Sequence, residues 1–137
     1  MSTHNVDLIR AIYAAFAVGD VPGVLAHMSP QIIWNEAENF LYADRNPYVG
    51  PDAIVRGVFM RLATEWDGFA ATPDECLDAG ETVVVIGRYT GTYKATGRAQ
   101  RAQFVHVWRI AGGKVVRFQQ YTDTLQAARV TGAIEGT

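Results

Sequence analysis

The feature that most constrains this chain is the stretch from Ala102 to Thr124, which reads AQFVHVWRI, then AGGK, then VVRFQQYTDT. Two runs rich in β-branched and aromatic residues flank Gly112-Gly113, and a Gly-Gly pair supplies the positive φ angles of a tight hairpin turn. With Ala111 paired to Lys114, simple alternation puts Phe104, His106, Trp108, Ile110, Val115, Arg117, Gln119, Tyr121 and Asp123 on one face. Val105, Val107, Val116 and Phe118 fall on the other. The first face mixes aromatic area with a few polar groups, as the wall of a pocket does. The second is packing surface. Neither suits water, so each has to be covered.

Ahead of the hairpin the periodicity is helical. Ile9, Ile12, Tyr13 and Phe16 share one face of a helix expected from Asn5 to Val18, which Gly19 ends. Asp20 as N-cap and Pro22 in the first turn open a short helix to His27, stopped by Ser29-Pro30. Ile32, Ile33 and Trp34 form a short strand that runs into the polar residues Asn35, Glu36, Ala37, Glu38 and Asn39, and a loop follows from Phe40 to Val49. Gly50-Pro51-Asp52 opens a third helix with Ile54, Val58, Leu62 and Trp66 at four-residue spacing, and Asp67-Gly68 closes it. From there the period is that of strands: a weak run from Phe69 to Leu77, then Thr82 to Tyr93 and Ala99 to Ile110 around a Thr96-Gly97 turn. Pairing Ala95 with Arg98 sets Gly87 beside His106, where it clears space or marks a bend. The segment from about 130 carries little periodicity and reads as a loose tail. The 137 residues fit one α+β domain, three N-terminal helices packed on a curved, mostly antiparallel sheet.

Cys76 is the one cysteine, which excludes an internal disulfide framework and a cysteine metal site and fits a reducing cytoplasm. The formal net charge is −2 with no basic cluster, so no footprint for nucleic acid or an anionic membrane is expected. No signal pattern, membrane-spanning run, phosphate loop, paired-histidine metal motif or nucleophile elbow stands in the sequence. Small molecules and protein partners remain.

The segments AIYAAFAVGDVPGVLAHMSPQIIWNE, YVGPDAIVRGVF and FVHVWRIAGGKVVRFQQYTDT resemble those of the nuclear transport factor two-like superfamily, in its SnoaL-like and ketosteroid isomerase-like branch. The resemblance implies a cone-shaped roll with a pocket between helices and sheet, and a reaction run without a cofactor or metal. Glu36 falls where ketosteroid isomerases place their general base, and His106 where they place a protonated aspartate in the oxyanion hole, the enzyme that serves as a general example of a carboxylic acid kept neutral. Their oxyanion tyrosine is replaced here by Ile12, which argues against steroid isomerisation. His106 with Asp123 is similar instead to the histidine and aspartate of SnoaL-like polyketide cyclases.

Each candidate has a plainer alternative. Glu36 is either a base sharpened by an apolar pocket or a surface-loop carboxylate beside Glu38. His106 is either catalytic or a buried, hydrogen-bonded core residue. Asp123 lies roughly 13 Å along the strand from the partner of His106 in a flat register, so it either curls inward to that imidazole or caps a helix beginning at Thr124. Arg117 either receives an anionic group or pairs with a carboxylate. Ile12, Phe16, Trp34, Tyr89, Phe104, Trp108, Gln119 and Tyr121 are the expected pocket lining, although strand aromatics serve cores more often than ligands. The expectation is therefore an isomerase, cyclase or hydrolase acting on a small apolar or polycyclic substrate, with a non-catalytic binding or assembly module as the alternative. The apolar stripe of Val105, Val107, Val116 and Phe118, extended by Val84 and Ile86, is expected to be covered by a second copy.

Overall fold

The computed structural model describes residues 3–135. Six strands form one sheet in the order β2-β1-β6-β5-β4-β3: β1 (Met28–Asn35), β2 (Tyr48–Val49), β3 (Trp66–Ala79), β4 (Thr82–Tyr93), β5 (Arg98–Ala111) and β6 (Lys114–Thr122). Every pairing is antiparallel except β1 with β6. Helix α1 (Thr3–Ala17) buries Ile9, Ile12 and Tyr13 and packs on β3, β4 and the short α2 (Val21–Leu25). Asp20 caps α2 by accepting from the Gly23 amide at 3.0 Å. The third helical stretch is composite: α3 (Pro51–Ile54), a π turn from Val55 to Phe59, and α4 (Met60–Glu65). The π turn carries the buried Val58 and Phe59. The apolar helix faces and the inner face of the sheet together form the core, an α+β roll.

Several boundaries differ from the sequence reading, each for a local reason. Ser29-Pro30 belongs to β1 rather than to a stop before it; the β1–β6 ladder is irregular between Met28 and Ile33, where a proline without an N–H is tolerated. Trp66, Asp67 and Gly68 already belong to β3, and a register shift lies between Asp67 and Ala70. The β4–β5 register is Tyr93 with Arg98, two positions from the simple turn, so the faces are kept but Gly87 stands opposite Phe104 instead of His106. The helical turn expected at Thr124 extends to α5 (Thr124–Thr131), which buries Ala127 and Val130 and is tied to the β4–β5 turn by Thr96 Oγ1 donating to the Val130 carbonyl at 2.6 Å. The last part of the expected loose tail, 136–137, lies outside the described residues.

One shift matters most for the site. Ala111 pairs with Lys114 and Ile110 with Val115, as the Gly-Gly turn demands, but Arg109 then pairs with Arg117, which leaves Val116 as the extra residue of a β-bulge. A one-residue slip exchanges the faces of a strand. Phe118 and Gln120 therefore turn inward and are buried, whereas Arg117 and Tyr121 are exposed and Gln119 is half-buried on the outer side.

Gly87 is fixed by a close approach. A Cβ there would lie 2.3 Å from the Thr72 carbonyl oxygen and 2.5 Å from Phe104 Cζ, and the backbone of β3 has nowhere to go. Gly87→Ala is expected to destabilise the protein by about 1–3 kcal/mol, read as a lowered urea midpoint at unchanged slope.

Candidate functional site

A cavity of about 60 Å³ lies between the helices and the inner sheet face. Its walls are almost wholly apolar. Ile12, Tyr13 and Phe16 come from α1, Val58, Phe59 and Leu62 from the composite helix, Trp34 from β1, and Tyr89, Trp108 and Phe118 from the sheet. The residues with polar groups in its lining include Glu36, His106, Gln120, Tyr13 and Tyr89. The volume is well below the several hundred Å³ of an ordinary ligand pocket, so as formed it suits a compact molecule.

His106 is 5% exposed and stacks on Phe104, with ring centroids 4.0 Å apart. Both ring nitrogens are held: Nδ1 lies 2.5 Å from the Tyr13 hydroxyl and Nε2 lies 2.5 Å from the Tyr89 hydroxyl. The Tyr13 oxygen also accepts from Trp108 Nε1 at 3.0 Å, and the Tyr89 oxygen accepts from Gln120 Nε2 at 2.8 Å. Gln120 is oriented in turn by the Ala37 amide, which donates to its Oε1 at 2.9 Å. Burial pushes the His106 imidazole down to about 3 and raises both tyrosine hydroxyls well above their ordinary value. At neutral pH this is an uncharged hydrogen-bonded chain that runs from helix to sheet.

Glu36 is 3% exposed and follows directly on the end of β1. Asn46 holds its backbone on both sides: the Glu36 amide donates to Asn46 Oδ1 at 3.0 Å, and Asn46 Nδ2 donates to the Glu36 carbonyl at 2.8 Å. Trp34 Nε1 donates to carboxylate Oε2 at 2.9 Å; Oε1 has no hydrogen-bond partner among the described residues. Burial raises the carboxyl to about 7, against the lowering effects of Trp34 and of the Arg61 charge. Such a group is divided between acid and base near neutral pH.

Of the residues singled out in the sequence, Glu36 and His106 thus line one cavity with Ile12, Phe16, Trp34, Tyr89 and Trp108. Phe104 is buried behind the His106 ring and does not line the cavity. Asp123 is not at the imidazole: it is the N-cap of α5, accepting from the Gln126 amide at 3.0 Å and from Gln126 Nε2 at 3.2 Å. Gln119, Tyr121 and Arg117 line a shallow depression on the outer sheet face with Arg109, a result of the Val116 bulge. Glu38 is exposed. The sequence reading missed Tyr13 and Gln120. Tyr13 was visible on the apolar face of α1; Gln120 was not, because only the bulge turns it inward.

The two buried groups act oppositely on stability. Glu36 has its proton affinity raised by folding, from 4.5 to about 7, so its contribution is complete below 4.5 and is lost as pH rises to about 7. His106 has its affinity lowered, from 6.5 to about 3, so its contribution is complete above 6.5 and is lost as pH falls to about 3. Each changes stability by about 1.4 kcal/mol per pH unit inside its window. Between pH 4.5 and 6.5 they cancel. Denaturant unfolding is expected to show little net change from these groups in the parent over that range, whereas Glu36→Gln should gain about 2 kcal/mol of stability on going from pH 4.5 to 6.5.

Residues 9–118 match the model of the SnoaL-like domain family. Among solved structures, the chain is similar to an NTF2-like protein from Burkholderia thailandensis E264, with 42% identity over 91% of this chain and 95% of that one and a TM-score of 0.87. It is also similar to an NTF2-like protein of unknown function from Burkholderia pseudomallei K96243, with 31% identity over 94% and 98% of the two chains and a TM-score of 0.86. TerC, co-crystallised with polyporic acid, shares 26% identity over 95% and 99% of the two chains with a TM-score of 0.84. No curated protein matches the chain. With four-fifths of its length under one family model and a cone-like α+β roll that encloses the cavity lined by Glu36 and His106, the chain belongs to the SnoaL-like domain family.

Proposed function

We propose that this protein is a cofactor-independent acid–base enzyme in which Glu36 removes a proton from a carbon next to the carbonyl of a compact, largely apolar substrate, the opening step of an isomerisation or an aldol-type cyclisation. The observation that carries the reading is Glu36 itself: a buried carboxylate on an apolar cavity wall, with its proton affinity raised to about 7. A general base is most useful when its pKa lies near the working pH. The cavity walls are mostly apolar, and the Asn46 bracket fixes the backbone that carries the base. The likeness to TerC, which was crystallised with polyporic acid, supports a cavity that takes a small organic molecule. His106 in this scheme stays neutral and positions other groups, since both nitrogens are engaged.

That engagement, with Asp123 spent as a helix cap, is also what favours the second reading, a non-catalytic binding module that uses the same cavity. Proton exchange separates the two. A panel of small cyclic and aryl ketones in D₂O is expected to lose α-protons faster with the protein than in buffer, and Glu36→Gln should slow that exchange about 100-fold or more. No acceleration by the parent across the panel, or exchange indifferent to Glu36→Gln, would replace the enzyme by the binding module.

We also propose that two copies pair through the outer sheet face. Tyr121 at 56% and Ile86 at 36% stay exposed there beside half-buried Val105 and Val107, a stripe reduced from the expected one because Phe118 points inward. Sedimentation velocity at micromolar concentration is expected to give twice the 15.0 kDa chain mass; a clean monomer would reject the pairing.

A further inference from the structure

The hydrogens of the buried chain can be counted. Trp108 Nε1 has only a hydrogen to give, and it gives it to the Tyr13 oxygen. Gln120 is fixed the same way round, because its Oε1 accepts from the Ala37 amide and so its Nε2 must be the end that donates to the Tyr89 oxygen. Each tyrosine oxygen therefore already accepts one hydrogen bond from outside the triad. Between the two hydroxyls sits a neutral imidazole with a single N–H. When Nδ1 carries the hydrogen, it donates to Tyr13, and Tyr89 donates its own hydrogen to Nε2. The Tyr13 oxygen then accepts twice and its hydroxyl hydrogen has no acceptor in the triad. When Nε2 carries the hydrogen, the roles exchange and the Tyr89 hydrogen is the one left over. No other acceptor among the described residues is hydrogen-bonded to either hydroxyl, and both tyrosines line the cavity.

We infer that the Tyr13–His106–Tyr89 array presents one hydroxyl hydrogen to the cavity in either tautomer, and that His106 acts as a positioning residue whose tautomer decides which tyrosine offers it. The ligand class this selects is a compact apolar molecule with an oxygen acceptor, a ketone or its enolate, since an uncharged donor among apolar walls is paired by such an acceptor and left unpaired by a hydrocarbon. A ligand without such an oxygen leaves the hydroxyl unpaired. This deepens the proposed function and rests on its view that the cavity takes a small carbonyl compound. It does not require turnover, so an inert Glu36 in the exchange assay and a failure of the tyrosine array are separate results.

The test uses two molecules of nearly the same shape, cyclohexanone and methylenecyclohexane, which differ in having an oxygen or a methylene group at one position. Titration of the parent protein, followed by NMR, is expected to show cyclohexanone binding about tenfold more tightly. Tyr13→Phe and Tyr89→Phe should each keep a preference for the ketone, because the remaining tyrosine takes over the free hydroxyl; the double variant should lose it. On the unmutated protein, long-range ¹H–¹⁵N spectra of the imidazole should show His106 neutral with one N–H at pH 6–8, and cyclohexanone should change the ratio of the two tautomers while methylenecyclohexane does not. Equal binding or no binding of the two probes by the parent would overturn the inference, and so would an imidazolium at pH 7. Loss of the preference in one single variant alone would fix the donor on that tyrosine and overturn the exchange. The parent titration and the imidazole spectra stand even if the double variant does not fold.

Discussion

A histidine sealed inside an apolar roll has to satisfy both ring nitrogens from the protein, and the way His106 does so joins the two layers of this fold. Tyr13 reaches it from α1 and Tyr89 from β4, each at 2.5 Å. Leaving either nitrogen unpaired at this depth would cost on the order of 1–3 kcal/mol, so the array specifies how the helix sits on the sheet as much as the apolar contacts around it do. Apolar packing alone tolerates small slides of a helix over a sheet; a hydrogen bond to a ring nitrogen does not. The outer partners, Trp108 and Gln120, extend the same constraint to β5 and β6.

Glu36 is placed under the opposite regime. Its backbone is held on both sides by Asn46, and its side chain receives one hydrogen bond, from Trp34. A carboxylate given several donors would stay ionised and inert at neutral pH; one donor in an apolar setting leaves the desolvation uncompensated, and the proton affinity rises to about 7. The fold thus holds two titratable groups on one cavity and drives them apart in opposite directions, one toward permanent neutrality and one toward exchange with solvent near neutral pH. Pairs of that kind are how a single cavity separates a positioning role from a proton-transfer role.

The outer face of the sheet shows what the bulge at Val116 costs and gives. It sets Arg117 opposite Arg109 across the β5–β6 ladder, an unfavourable pairing of like charges on an exposed face. In exchange it turns Phe118 onto Trp34, with ring centroids 3.7 Å apart, and turns Gln120 to the Tyr89 hydroxyl. The inner-face gains are buried and the outer-face repulsion is solvated, so the balance favours the bulged register.

The sequence by itself determined the periods and the turns: helical spacing through Ile9, Ile12, Tyr13 and Phe16, alternation through Phe104, His106 and Trp108, and the Gly112-Gly113 reversal. These are local, set by backbone sterics and by which side chains avoid water, and together with the resemblance they sufficed for an α+β roll with Glu36 and His106 on its inner side. What only the tertiary structure decided is whatever depends on a count along two strands at once. One extra residue at Val116 moved Gln119 and Tyr121 out and Phe118 and Gln120 in, and a two-residue difference at the β4–β5 turn set Phe104 instead of His106 opposite Gly87. Asp123 was decided in the same way, because its carboxylate found the first turn of α5 beside it and His106 found two tyrosines. A bulge carries no signature in a strand of uniformly apolar and polar-mixed residues; its reason lies in the ring of Trp34 and the hydroxyl of Tyr89, which come from strands 84 and 31 residues away from those partners.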